Sequence, residues 1–141
     1  MRRLIYVLFG ALALWALPMS GAGGFRIVAN PGVHVTSLTK SAASAIFLKK
    51  TPKWENGTPV VAVDQSEKSG VRAVFSAEIH GKSVAAVKSY WQQQIFSGRD
   101  VPPVEKASDS DVLEMVRSTP GAVGYVSEGS SLSGVTVIEI K

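Results

Sequence analysis

From Phe25 onward, short runs of β-branched and apolar residues alternate with longer stretches whose apolar residues recur at helical spacing. A chain built this way can bury its strands only between helices. The alternation therefore predicts an α/β layered single domain, with a mixed or mostly parallel sheet of about four strands flanked by helices. The strand runs are Phe25–Ala29, stopped by Asn30-Pro31-Gly32, then Pro59–Val63, Ala122–Val126 and Val135–Ile140. The first helix is expected over Ser41–Lys50, with Leu38, Ala42, Ala45 and Ile46 on one face and Ser37 or Thr39 as its cap. A second starts at Ser69, carries Val71, Val74, Phe75 and Ile79 inward, and ends near Gly81. A third follows Ser83, with Val84, Val87, Trp91 and Ile95 on its inner face. Ser108 or Ser110 caps the last, in which Val112, Met115 and Val116 face inward and Pro120-Gly121 make the stop.

A different kind of segment precedes this domain. Arg2 and Arg3 lead into Leu4–Leu17, an uncharged apolar run shorter than the roughly 20 residues a membrane-spanning helix needs. Small residues follow at Ser20 and Ala22, in the arrangement signal peptidase accepts. Residues 1–22 are thus expected to be a cleaved signal peptide and residues 23–141 the domain, with membrane contact only through the leader before cleavage; the alternative is an uncleaved N-terminal anchor. Of the formal net charge of +4, Arg2 and Arg3 leave with the leader, and the remaining charges alternate in sign along the chain. No nucleic-acid footprint results. The absence of cysteine excludes disulfides, thiol chemistry, thiolate metal sites and a lipoprotein anchor, and it suits a chain exported into a bacterial envelope.

Little else in the chain points to chemistry. Gly81-Lys82-Ser83 has the look of a phosphate-loop ending, but it follows a helix and Ser76 stands where the first glycine belongs. Asn56-Gly57-Thr58, followed by Pro59, reads as a turn. His34 and His80 lie on separate elements without metal-ligand spacing. There is no Gly-x-Ser-x-Gly, and Gly129–Gly134 is a flexible turn. The chain is not expected to be an enzyme, and neither a cofactor nor a metal is expected.

The loop from Ser66 to Arg72 is the exception. A serine hydroxyl, a glycine that lets a ligand approach and the first amides of a helix form a generic anion site, made by Ser69, Gly70 and Val71 with Arg72 as a charged donor. An ordinary N-cap at Ser69 accounts for the same residues, and both readings stand.

The order and spacing of several segments resemble the type II periplasmic solute-binding proteins, in particular phosphate-type substrate-binding components of ABC transporters. The segments are Leu38 with Ala45–Lys50, Trp54–Gly57, Ser69–Arg72 with Phe75, Tyr90-Trp91 with Phe96–Gly98, and Pro120–Val126. In that family a Ser-Gly-Thr at a helix start binds phosphate oxygens, with an arginine four residues and an aspartate two residues before the serine. Here Ser69-Gly70 match, Val71 replaces the threonine, and Gln65 and Glu67 stand at the other two positions. Family members close two lobes around the ligand, and the length of this chain accommodates one. The resemblance implies a periplasmic single-lobe domain with a small phosphate-like oxyanion as ligand. The alternative it leaves open is an envelope interaction module that keeps the fold and docks a protein partner.

Overall fold

The computed structural model describes residues 24–141, so the expected signal peptide lies outside the described residues. Six strands form one sheet: β1 (Phe25–Ala29), β2 (Ser37–Leu38), β3 (Val61–Gln65), β4 (Val104–Lys106), β5 (Ala122–Ser127) and β6 (Thr136–Ile140). Their order across the sheet is β2-β6-β1-β5-β3-β4. The sheet is mixed: β1 runs antiparallel to β5 and β6, whereas β3 runs parallel to β5 and β4, and β2 parallel to β6. The helices are α1 (Lys40–Phe47), α2 (Gly70–Phe75), α3 (Val84–Phe96) and α4 (Asp109–Ser118), and α2 continues through a π-helical turn at Ser76–His80.

The α/β layering is as the sequence predicts, but the strand count is six and not about four. The two additional strands, β2 and β4, are the sheet's edges. Each is two or three residues long, too short to show alternation, and each exists because a longer neighbour offers its backbone. Leu38 accordingly pairs with Ile140 and does not belong to the apolar face of α1.

Side-chain alternation divides the core into two layers. Ile27, Ala29, Ala62, Val123, Tyr125 and Ile138 face α1 and α2, where Phe47, Val71, Phe75 and Ile79 complete an aromatic-rich cluster. Val28, Val63, Ala122 and Val126 face α4 and meet Val112, Leu113 and Val116. Two glycines make this packing possible. A Cβ on Gly124 would come within 2.7 Å of Val112, so only glycine lets α4 lie close on β5. Gly121 has φ +78° and a Cβ there would stand 2.1 Å from the Pro59 carbonyl, while its own carbonyl accepts the Trp54 indole N–H at 2.9 Å.

α3 lies outside both layers and is held through Val87 and Trp91, which pack on Leu48. Trp91 is thus a core residue, as its spacing predicts. Ile95 departs from the predicted face and is 52% exposed, because the last turn of α3 runs past the surface it covers. Met115 on α4 is only partly buried, and Leu113 takes the inward place beside Val112 and Val116. Among the described residues no helix is long and apolar enough to cross a membrane.

Candidate functional site

β3 and β4 are adjacent and parallel, so their carboxyl ends open at the same edge of the sheet, and each is followed there by a helix start. The carboxyl ends of parallel strands are where α/β sheets bind ligands. Between them lies a crevice of about 410 Å³ lined by Gln65, Ser66, Lys68, Ser69, Ala107, Ser108 and Asp109.

Gln65, the last residue of β3, organises this edge. It is buried, and its Nε2 donates to Asp109 Oδ1 and to the Tyr125 carbonyl, both at 2.8 Å. Its Oε1 accepts the Ser69 hydroxyl at 2.7 Å. One amide side chain thereby links β3, β5 and the starts of both helices. Ser69 is the N-cap of α2 by position, with extended backbone, yet its side chain caps no amide; the hydroxyl is turned to donate to Gln65. The Ser69 N–H closes a turn onto the Ser66 carbonyl at 2.8 Å. Among the described residues no hydrogen bond reaches the N–H of Gly70 or Val71.

The four residues singled out from the sequence meet different fates. Ser69 lines the crevice. Gly70 stands beside it with nothing within 4 Å of where a Cβ would be, so neither its backbone nor its packing demands glycine. Val71 contributes only its amide, because its side chain belongs to the core cluster. Arg72 turns inward and is 5% exposed. Its Nη1 donates to the Gln65 carbonyl at 2.8 Å and to Glu105 Oε1 at 2.7 Å, and its Nη2 lies 3.6 Å from Asp64 Oδ2. The guanidinium therefore joins the ends of β3 and β4 from inside the sheet edge.

The electrostatics follow from this burial. Burial raises the Asp64 carboxyl above its usual range, and Arg72, the Tyr125 hydroxyl that donates to Asp64 Oδ1, and the Gln65 amide offset this only in part. Burial opposes the Arg72 charge too, but Asp64 and Glu105 outweigh it and push the guanidinium up. The two directions differ because Arg72 has two acidic partners while Asp64 has one basic partner. Burial and the neighbouring Asp64 raise the Tyr125 hydroxyl, which stays protonated and stacks on Phe75 at 3.8 Å between ring centroids. At Asp109 burial works upward, but hydrogen bonds from Gln65, the Ser127 N–H and the Ser130 hydroxyl prevail and hold it below the ordinary carboxylate range. Asp109 is thus an ionised carboxylate that fastens the loop after β5 to the start of α4.

Asp109 was not legible as a site residue, and Gln65 only as the residue standing where the resembled family has an arginine. Gln65 carries no chemical signal of its own, and Asp109 reads as one more acid in a helix's first turn. Only their separation of 44 residues, closed by strand pairing, makes them a pair.

No protein-family model matches this chain, and no curated protein matches it. Solved structures do. A phosphate ABC transporter substrate-binding protein from Clostridium perfringens, with bound phosphate, superposes with a TM-score of 0.67 at 18% identity, over 84% of this chain and 45% of the other. The fold is that of one lobe of a periplasmic binding protein. An ABC-type phosphate transport receptor from Vibrio cholerae gives 0.66 at 22% identity, over 84% and 46% of the two chains. PstS from Borrelia burgdorferi gives 0.61 at 14%, over 84% and 47%. The chain thus spans less than half the length of the structures it matches.

Proposed function

We propose that this chain is a periplasmic solute-binding domain of a single lobe, exported through a leader at residues 1–22, and that it holds a small phosphate-like oxyanion at the end of β3. In this reading the ligand sits against the Ser69 hydroxyl and the Gly70 and Val71 amides. The observation that carries it is the open start of α2, where two amides lack partners among the described residues beside a crevice at the carboxyl ends of parallel strands. The phosphate named with the similar Clostridium perfringens structure makes that anion the first to try. Ser69 keeps both lone pairs of its oxygen and can donate to an anion only by leaving Gln65, whereas the two amides can donate at once. Arg72 enters as the residue that fixes the Gln65 carbonyl, not as a direct donor. Lys68 supplies the crevice's positive charge and Asp109 opposes it, so binding is weak by the standard of a closed cleft.

Isothermal titration of the purified protein with phosphate and with sulfate is the test. A dissociation constant of about 100 μM or tighter, roughly −5.5 kcal/mol, supports the reading. Silence with both anions overturns it.

A further inference from the structure

At the C-terminal end of α3 three large apolar side chains stand in solvent: Phe96 is 94% exposed, Ile95 52% and Val101 58%. Scattered apolar residues on a surface need no explanation, but three within seven residues of chain do. Nor is this turn a loose end. Gly98 adopts φ +68°, its N–H donates to the Ile95 carbonyl at 3.0 Å and the Arg99 N–H donates to Gln94 at 2.9 Å, a paired closure that stops a helix firmly. Lys49 then pins the outgoing chain, its Nζ lying 3.1 Å from the Val101 carbonyl and 3.4 Å from Asp100 Oδ1. The fold thus holds Phe96 outward on a rigid tip.

The charge left unpaired around the tip is positive. Asp100 is the single acid among residues 82–104, and Lys49 neutralises it. Arg99 follows Phe96 by three residues, and Lys50 sits over the Tyr90 ring at 5.8 Å. No acidic partner pairs with Lys50 or Arg99 among the described residues. A protruding aromatic with an aliphatic neighbour and unpaired cations around it matches an anionic bilayer surface: the rings and methyls enter the headgroup boundary while the cations stay with the lipid phosphates. A protein partner would need a shaped surface of about 800 Å² on this side, and a convex tip does not offer one.

We propose that the α3 tip, Ile95, Phe96 and Val101 with Lys50 and Arg99, is a peripheral contact for anionic lipid membranes, separate from the β3 crevice. Such a contact would hold the domain at a membrane face independently of the leader expected at residues 1–22.

The chain has no cysteine, so a single introduced one carries a unique label. Gln93→Cys on the exposed side of α3 and Glu114→Cys on α4, across the sheet, each receive an environment-sensitive fluorophore in the full chain. Vesicles of phosphatidylcholine with 30% phosphatidylglycerol should shift the label at position 93 to shorter wavelength, leave that at 114 unmoved, and lose the effect in high salt. Pure phosphatidylcholine should shift neither. Phe96→Ser with Arg99→Glu, both exposed changes that leave the melting curve in place, should weaken vesicle affinity at least tenfold. Equal responses from both labels, a response to pure phosphatidylcholine, or an unaffected double variant would overturn the proposal. A lipid-free shift that grows with protein concentration, alongside a dimer in sedimentation, would assign the tip to a second copy instead.

Discussion

α2 and α4 start at the same edge of the sheet, each behind a serine, and their starts differ. At α4 the Ser108 side chain accepts the Asp111 amide at 3.2 Å, and Asp109 adds an ionised carboxylate to the first turn. At α2 the Ser69 hydroxyl donates to Gln65 and leaves the first amides alone. Thr39 and Ser83 behave like Ser108, accepting from Ala42 and Ala86 at 3.1 Å each. Three helix starts are thus closed by their own side chains and one is left open. Capping uses the hydroxyl oxygen as an acceptor, and the Ser69 side chain is instead turned to donate to the buried Gln65, with no amide on its oxygen. The difference teaches that a cap residue is not a cap until its competitors are counted.

The comparison can be broken most severely at Arg72, which holds Gln65 in place. Arg72→Ala should cost about 3–5 kcal/mol in urea unfolding near neutral pH, because it leaves Asp64 buried without its cation. The loss should shrink in acid, where Asp64 is protonated. An unchanged unfolding midpoint would mean that the guanidinium is not the internal tie described.

The far end of the α2 element offers the next effect. His80 is lowered to about 4 by burial and by Lys82, Arg72 and Lys50, and its Nδ1 pairs with the Ser44 hydroxyl at 2.7 Å. Its folded value lies below the unfolded one, so the stability it contributes is complete above about pH 6.5 and is lost as pH falls toward 4, roughly 2–3 kcal/mol in all. Asp64 acts in the opposite sense, since its raised value favours the fold as pH falls. The difference between wild type and His80→Asn across pH 4–7 isolates the histidine, and a constant difference would refute its assignment.

Ser108→Ala and Ser69→Ala sharpen the contrast directly. The first should cost about 1 kcal/mol of stability through the lost cap, with a smaller effect on phosphate binding than the second. The second should weaken phosphate binding about tenfold, about 1.4 kcal/mol, through loss of the Ser69 hydroxyl at the open start. Equal effects of the two on binding would show the starts to be equivalent. The smallest change is Gly70→Ala, which meets open space and should raise stability by about 0.5 kcal/mol while crowding an anion at the amides. A thermal melt with and without phosphate separates the two consequences.

Much of the fold was written in local pattern. The runs at Phe25–Ala29 and Ala122–Val126, the caps at Thr39, Ser83 and Ser108, and the inward faces of Val87, Trp91, Val112 and Val116 depend on nearest neighbours in sequence, where periodicity and hydrogen-bond chemistry act. Ile95 marks the limit, since periodicity can orient a side chain but cannot say whether anything lies opposite it.

The site divides the same way. Local pattern places a serine, a glycine and a helix start after β3, with an arginine one turn along. Only the tertiary structure decided that Arg72 faces Asp64 and Glu105, that Val71 faces the core, and that Ser69 is held by Gln65 while Asp109 closes the crevice from α4. The physical reason is range. A cap or an amphipathic face is settled within four residues, but the direction of a charged or hydroxyl group depends on which distant partner strand pairing delivers to within 3 Å or so.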